Sequence, residues 1–337
     1  MQQEELLIKL EQAGIVGRGG AAFPAHLKWK RIKDLSNPKK YVVCNASEGE
    51  IGVQKDFYIL QNFSEEVFKG MMLAMDFLET KEGYFYINRN YYEQLKSKID
   101  PLVELFKQKS YIINVFIEEP SYIGGETGAL LNAIEGKKVQ PRFESPSPSV
   151  LGIFGCPVLL HNVETLYDVA RVATDKFEKT RFSTILGGNK NGVYRVNADE
   201  KVAEVLRKTN NYPDFDFFVQ VGGGASGEIF TKEQAETATI GGCGSIEIYP
   251  STTTDYDFLS KIFNFYEKES CGKCTPCRDG SWQLKKLLDG LDKKSEIPWL
   301  EIKPIIKVME KGSFCGLGKS IVPPVRSYAK NILGIEV

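Results

Sequence analysis

Tyr41-Val42-Val43-Cys44-Asn45-Ala46-Ser47-Glu48-Gly49-Glu50 reads as a buried strand that ends abruptly in polar groups. An unbroken apolar run suits a strand covered on both faces, as in a parallel sheet. Polar groups at the carboxyl end of such a strand are where ligands sit in an open α/β sheet. Asn45 offers an amide that both donates and accepts, suited to the edge of a heterocycle or to a chain of hydroxyls. Glu48 and Glu50 are either ligand contacts or a solvated turn.

Outward from this strand the same grammar repeats. Upstream, residues 4–13 predict a short amphipathic helix ending at Gly14, followed by Gly17-Arg18-Gly19-Gly20-Ala21-Ala22-Phe23-Pro24. Glycines let the backbone come close to a ligand and turn N–H groups toward an anion, and Arg18 and Lys28 add positive charge. The reading is a phosphate cradle, although a lone glycine-rich loop is a weak sign. Downstream, helical patterns over 64–79 and 91–108 alternate with strands at 84–87 and 111–117, as in a sheet with crossovers. A second glycine turn, Tyr122-Ile123-Gly124-Gly125-Glu126-Thr127-Gly128, leads into a helix. Residues 136–162, with Pro141, Pro146, Pro148 and Pro157, predict an extended arm. At its end His161-Asn162-Val163-Glu164-Thr165 opens a further helix, whose start and Asn162 can receive a phosphate or a ring edge. His161 can too, but a lone histidine is more often structural.

From about residue 176 to 250 the character changes to short strands, at 193–196, 216–221 and 245–249, a β-rich region resembling a ubiquitin-like grasp fold. Thr253 or Thr254 caps a helix at 255–268, in which Phe258, Leu259, Ile262, Phe263 and Tyr266 recur at packing intervals. Residues 278–333 read as helical with a turn at Gly312. The expected domains are 1–175, α/β and ligand-binding; 176–252, β-rich; and 253–337, helical.

The helical region carries Glu269-Ser270-Cys271-Gly272-Lys273-Cys274-Thr275-Pro276-Cys277-Arg278, answered by Cys315. Cys271, Cys274, Cys277 and Cys315 can offer four thiolates to one inorganic centre. Zinc usually takes two separated Cys-x-x-Cys pairs, whereas an iron–sulfur cube takes one thiolate per iron, often three from a single turn. The run favours a [4Fe–4S] cluster over a structural zinc. Pro276 is expected to interrupt regular helix, so that backbone N–H groups turn toward the cluster sulfurs. Cys44, Cys156 and Cys243 fall outside this set.

Composition sets limits. The 337 residues are 42% hydrophobic, enough for two or three domains, and Lys+Arg 43 against Asp+Glu 44 leaves no field to attract nucleic acid. The start Met1-Gln2-Gln3-Glu4-Glu5 lacks the basic and apolar parts of a signal peptide, and no apolar run approaches a membrane span. These features predict a cytoplasmic protein with reduced thiols, or one peripheral to a membrane complex, with no direct membrane insertion.

Together the motifs resemble the NADH-binding flavoprotein subunit, with FMN and a [4Fe–4S] cluster, of respiratory complex I and of related NAD-linked hydrogenases and formate dehydrogenases. The resemblance runs from Gly14 to about Ala329. It rests on Gly17 to Pro24 with Leu27-Lys28-Trp29, on Cys44-Asn45-Ala46, on Tyr122 to Glu126, on Asn162-Val163-Glu164-Thr165-Leu166, and on the cysteine run, in family order. It implies an FMN-binding α/β domain, a small β domain called SLBB and a helical bundle around the cluster. The implied activity is that of an NADH dehydrogenase (quinone)-type electron-transport subunit: NADH gives two electrons to FMN, and the cluster takes them singly.

By resemblance the flavin and nucleotide cavity is lined by Gly17, Arg18, Gly19, Gly20, Phe23, Lys28, Asn45, Ser47, Glu48, Glu50, Tyr122, Gly125, Glu126, His161, Asn162 and Thr165. No catalytic acid or base is implied. The implied partners are a thioredoxin-like [2Fe–2S] subunit and a larger iron–sulfur subunit. Ser47 and Thr127 stand where the family has carboxylates, a loss of negative charge expected to raise the flavin potential. Arg31 and Ser147 stand where it has aromatic rings that clasp the dinucleotide, and Arg31 can instead pair with an acidic substrate. An alternative reading therefore keeps FMN and cluster but takes electrons from another donor. A third reading is a structural adaptor that keeps the fold without flavin.

Overall fold

The computed structural model describes residues 3–20, 22–142, 147 and 149–337. Ala21 of the glycine loop and Pro146 and Pro148 of the proline-rich arm lie outside the described residues. The chain divides into two compact units, Met1–Gly49 with Gln54–Lys179, and Glu50–Val53 with Thr180–Val337.

The first unit contains α1 (Gln3–Gln12), α2 (Ala25–Lys33), β1 (Tyr41–Ala46), α3 (Lys55–Phe77), β2 (Glu82–Asn88), α4 (Arg89–Gln108), β3 (Ile112–Glu118), α5 (Thr127–Ile134), β4 (Val158–Asn162) and α6 (Val163–Ala173). All four strands are parallel, in the order β3-β2-β1-β4. The sheet core holds Val43, Tyr86, Leu130, Leu131, Val158 and Leu160, all buried. Asn45 is the register partner of Asn162, so both reach the same end of the sheet.

Two boundaries differ from the sequence expectation. α3 starts at Lys55 rather than near 64, passing through one non-helical residue at Phe63. Before the kink its apolar residues form one unbroken run, Phe57-Tyr58-Ile59-Leu60, which shows no helical spacing, and the periodicity that marks a helix is clear only after it. The end of the proline-rich arm is a strand, because Val158, Leu159 and Leu160 are buried beside β1.

α3 and α6 pack with little room between them. A Cβ on Gly70 of α3 would fall 1.9 Å from the Leu166 carbonyl oxygen, so only glycine permits this approach. Gly70→Ala should destabilise the protein by about 1–3 kcal/mol or more, seen as a lower melting temperature. An unchanged melt would show that the helices separate freely.

The second unit contains β5 (Thr180–Leu186), β6 (Gly192–Asn197), α7 (Val202–Lys208), β7 (Phe217–Val221), β8 (Glu228–Thr231) and β9 (Ser245–Pro250). It continues with α8 (Asp255–Glu269), α9 (Thr275–Asp289), α10 (Trp299–Gly312), α11 (Gly316–Ser320) and α12 (Val322–Ile332). The sheet order is β6-β5-β9-β7-β8, mixed in direction, and α7 packs on it through Val202, Val205 and Leu206. This is the grasp-like sheet expected, with β5, α7 and β8 added.

The β-rich and helical regions expected as separate domains form one unit. Phe218 of β7 and Tyr249 of β9 pack with Phe258 of α8 and Tyr328 of α12, the last two stacked at 4.3 Å. Ser327 and Asn331 of α12 also hydrogen-bond the Ile229 backbone of β8. α8 is capped by Thr254, whose hydroxyl accepts from the Asp257 N–H.

Candidate functional site

In the first unit the chain steps outward from β1 to β2 and β3, then returns to place β4 on the other side of β1. In open α/β sheets such a reversal marks the place for a ligand, here beyond the carboxyl ends of β1 and β4. Asn45 Oδ1 accepts from the Ser47 N–H at 3.0 Å, and its Nδ2 donates to the Gly125 carbonyl at 3.0 Å. One asparagine thus binds the β1 loop to the second glycine turn.

The first glycine loop closes on itself through Gly17 N–H donating to Phe23 O at 2.9 Å. It lies against the start of α6, where Arg18 N–H donates to Thr165 Oγ1 at 2.9 Å and Arg18 Nε reaches Asp168 Oδ2 at 3.5 Å. A Cβ on Gly19 would be 3.5 Å from Asn162 Cβ. The fold therefore gathers Gly17, Arg18, Gly19, Asn45, Ser47, Gly125, Asn162 and Thr165. Gly20 and the half-exposed Phe23 sit on the same loop, and Tyr122 leads into the turn that ends at Gly125. Lys28 Nζ donates to the Leu160 carbonyl at 2.6 Å, and burial lowers its pKa to about 8.

Other expected contacts already have work within the fold. His161 is buried, and its Nε2 accepts from Trp29 Nε1–H at 2.7 Å. Burial, aided by the Lys28 charge, holds its pKa well below the usual range, so the ring is a neutral acceptor. Glu48 accepts from the N–H groups of Asp56 and Phe57, at the start of α3, and from Tyr91 Oη at 2.8 Å. Burial, with the charge of Asp56 adding to it, pushes Glu48 up to about 7. Glu126 caps α5 by accepting from Ala129 N–H at 2.8 Å. Glu50 belongs to the second unit, where it accepts from Ala225 N–H at 2.7 Å and from Ser226 Oγ at 2.9 Å. It is not part of the gathered set.

Sequence reasoning missed the ions that hold Asn162. Lys55 Nζ donates to Asn162 Oδ1 at 3.0 Å and pairs with Asp56 at 2.5 Å and Glu164 at 3.3 Å. Asp56 Oδ2 accepts from Asn162 Nδ2 at 2.5 Å. Burial opposes the Lys55 charge, but Asp56, Glu164 and Glu48 outweigh it and raise the pKa above the ordinary range. Nothing local distinguishes Lys55-Asp56 from a solvated helix start.

In the second unit the cysteine turn meets the loop before α11. Phe314 N–H donates to Cys274 Sγ at 3.4 Å, and Lys273 Nζ lies 4.5 Å from the Phe314 ring centre. The Ser270 hydroxyl lies 3.5 Å from Cys277 Sγ. A Cβ on Gly318 would fall 2.9 Å from Cys277 Cβ, so α11 sits directly on that cysteine. Pro276 does not interrupt the helix but occupies its first turn, where proline costs no hydrogen bond. Cys274 and Cys315 are the residues just before α9 and α11, at helix ends that favour negative charge.

Among the described residues no three His, Cys, Asp or Glu side chains converge as ligands of one metal ion. A cube takes one thiolate from each of four cysteines. Donors aimed at the sulfurs, and cysteines drawn from two interlocked segments, fit the cube. Also among the described residues, no helix is long and apolar enough to cross a membrane.

Known proteins share both parts. Residues 10–171 match the family described as the Nuo51 FMN-binding domain, and residues 257–332 match the NADH-ubiquinone oxidoreductase-F iron-sulfur binding region. The chain is 29% identical to the F subunit of NADH-quinone oxidoreductase of Buchnera aphidicola subsp. Schizaphis graminum, over 98% of this chain and 83% of that protein. It is 28% identical to the protein of the same name in Aquifex aeolicus, over 94% and 82%. A chain of the NAD+-reducing [NiFe]-hydrogenase in its H2-reduced state superposes with a TM-score of 0.89 at 25% identity, covering 98% of this chain. This chain spans 62% of the length of that hydrogenase chain.

Proposed function

Because this chain belongs to the NADH-binding flavoproteins, with FMN and a [4Fe–4S] cluster, of complex I and related NAD-linked hydrogenases, we propose that it passes electrons between NAD(H), FMN and that cluster. It works as an oxidoreductase subunit of a larger complex. The observation that carries the reading is one chain holding both a strand end flanked by Asn45, Ser47, Asn162 and the Gly17–Gly20 loop, and a three-cysteine turn bonded to the loop that carries Cys315.

FMN, when bound, supplies the exchange between two-electron and one-electron carriers. The chain supplies position. The Gly17–Gly20 loop and Lys28 would hold the phosphate through the Gly19 and Gly20 N–H groups and the ammonium, since the Gly17 and Arg18 N–H groups close the loop on Phe23 and Thr165. Asn45, Ser47, Gly125 and Asn162 would hold the polar edge and ribityl chain. Thr165 fixes the loop through Arg18, and the Lys55, Asp56 and Glu164 set fixes the Asn162 amide. Phe23 gives the dinucleotide an aromatic face. Cys271, Cys274, Cys277 and Cys315 would hold the cluster. The names of the relatives support a quinone-reducing complex, and the hydrogenase likeness supports hydrogen as the other partner reaction. A thioredoxin-like [2Fe–2S] subunit and a larger iron–sulfur subunit are the partners proposed, with the cytoplasm or a membrane-bound complex as the setting.

Anaerobic titration of the purified protein tests this. NADH should bleach the long-wavelength flavin band to the extent that dithionite does. A band that dithionite bleaches and NADH leaves unchanged would instead favour a relay fed by another donor.

A further inference from the structure

Glu118, at the end of β3, is a carboxylic acid that the proposed function leaves unused. It is 4% exposed, and its Oε1 accepts from Ser121 Oγ at 3.2 Å. Its Oε2 is buried without a partner of hydrogen-bonding geometry. The carboxyl fills the space beside the second glycine turn: a Cβ on Gly124 would fall 1.4 Å from Oε1. The next residue, Gly125, is bound by Asn45 at 3.0 Å, and a Cβ there would meet the Ser47 carbonyl oxygen at 3.0 Å. Glu118 therefore stands directly behind Asn45, Ser47 and Gly125, at the ligand-facing end of the parallel strands.

Its surroundings make it a proton carrier rather than a fixed anion. Burial pushes it up to about 7, while the hydroxyls of Ser47, Ser121 and Tyr86 work in the opposite direction. Among the described residues the groups acting on it are hydroxyls, not cations. Tyr86 of β2 is the titratable one, and its own pKa is raised by burial and then by Glu118. A carboxyl poised in this way responds to one added negative charge nearby by taking a proton.

We propose that Glu118 is a positioning residue for the flavin reaction, restoring from β3 the carboxyl missing at Ser47, and that it takes one proton from solvent when the flavin is reduced and returns it on reoxidation. NADH supplies the two electrons, and the proton bound at the Glu118 carboxylate balances one unit of the charge they bring. The charge near the flavin is then not permanently lost, as the sequence suggests, but depends on pH and redox state. This rests on the reading of that strand end as the FMN site.

The test uses the full-length protein with FMN and cluster bound, as wild type, Glu118→Gln and Glu118→Asp. Redox difference infrared spectra at about pH 8, above the wild-type titration, should show a protonated-carboxyl carbonyl band gained on reduction. That band should be absent in Glu118→Gln and present in Glu118→Asp. The flavin midpoint potential of the wild type should fall more steeply with pH than that of Glu118→Gln, by up to one proton per two electrons. A wild-type protein whose flavin bleaches without that band overturns the role of Glu118 and leaves the FMN site standing. A protein that neither purifies with FMN nor takes it up overturns the strand-end reading and this proposal with it. Because the wild-type spectrum decides, the outcome does not depend on the variants folding.

Discussion

Cys274→Ala should yield a protein that keeps its flavin and loses its cluster. Iron should drop from about four atoms per chain to nearly none, since a cube requires a thiolate at each iron. The reason for choosing Cys274 is its double anchorage: it precedes α9 and accepts the Phe314 N–H at 3.4 Å, so it joins the cysteine turn to the loop that delivers Cys315. Flavin content should be unchanged, because the residues proposed to hold FMN lie in the other compact unit. NADH should still bleach the flavin, while reduction of one-electron acceptors through the cluster should fall to background. Iron and flavin counts with low-temperature electron paramagnetic resonance check this. Full iron content in the variant would mean that the four cysteines do not hold a [4Fe–4S] cluster.

Lys55→Met should destabilise the first unit by about 3–5 kcal/mol, the usual result of removing one partner from a buried ion set. The side chain is nearly volume-neutral, so packing contributes little. What is lost is charge: Asp56 and Glu164 are 2% and 0% exposed, and Glu48 is pushed up to about 7 beside them. Without the ammonium these carboxyl groups face one another in a low-dielectric interior. Asn162 also loses one of the two donors to its Oδ1, the Glu164 N–H at 3.1 Å remaining, so its amide is held less firmly. FMN affinity should therefore weaken along with stability. Urea unfolding and flavin titration measure the two effects. Adding Glu164→Gln to the variant should recover part of the stability, since it removes one of the stranded charges. A loss below about 1 kcal/mol would mean that water reaches the set and screens it.

Sequence reading recovered what depends on near neighbours. The run Tyr41 to Cys44 is buried on both sides and so reads as strand without help, and Phe258 to Tyr266 shows its buried face by helical spacing. It lost β4, because the prolines of the preceding arm disguise three residues that become sheet only beside β1. It also placed Glu50 among the ligand contacts on the strength of its position after a strand, although Ala225 and Ser226 take up its carboxylate.

The resemblance, the candidate set of four cysteines and the succession of strand, glycine loop and helix are legible along the chain. Apart from the distant Cys315, these are written in spacings of a few residues, and local backbone chemistry reads them directly. What each charged group does is settled by folding. Lys55 meets Glu164, and Glu118 comes to lie behind Ser47, across separations that the chain closes only by folding. A charge has no assigned role until its surroundings are fixed, because burial sets the cost of its ionisation and the nearest partner sets whether that cost is met.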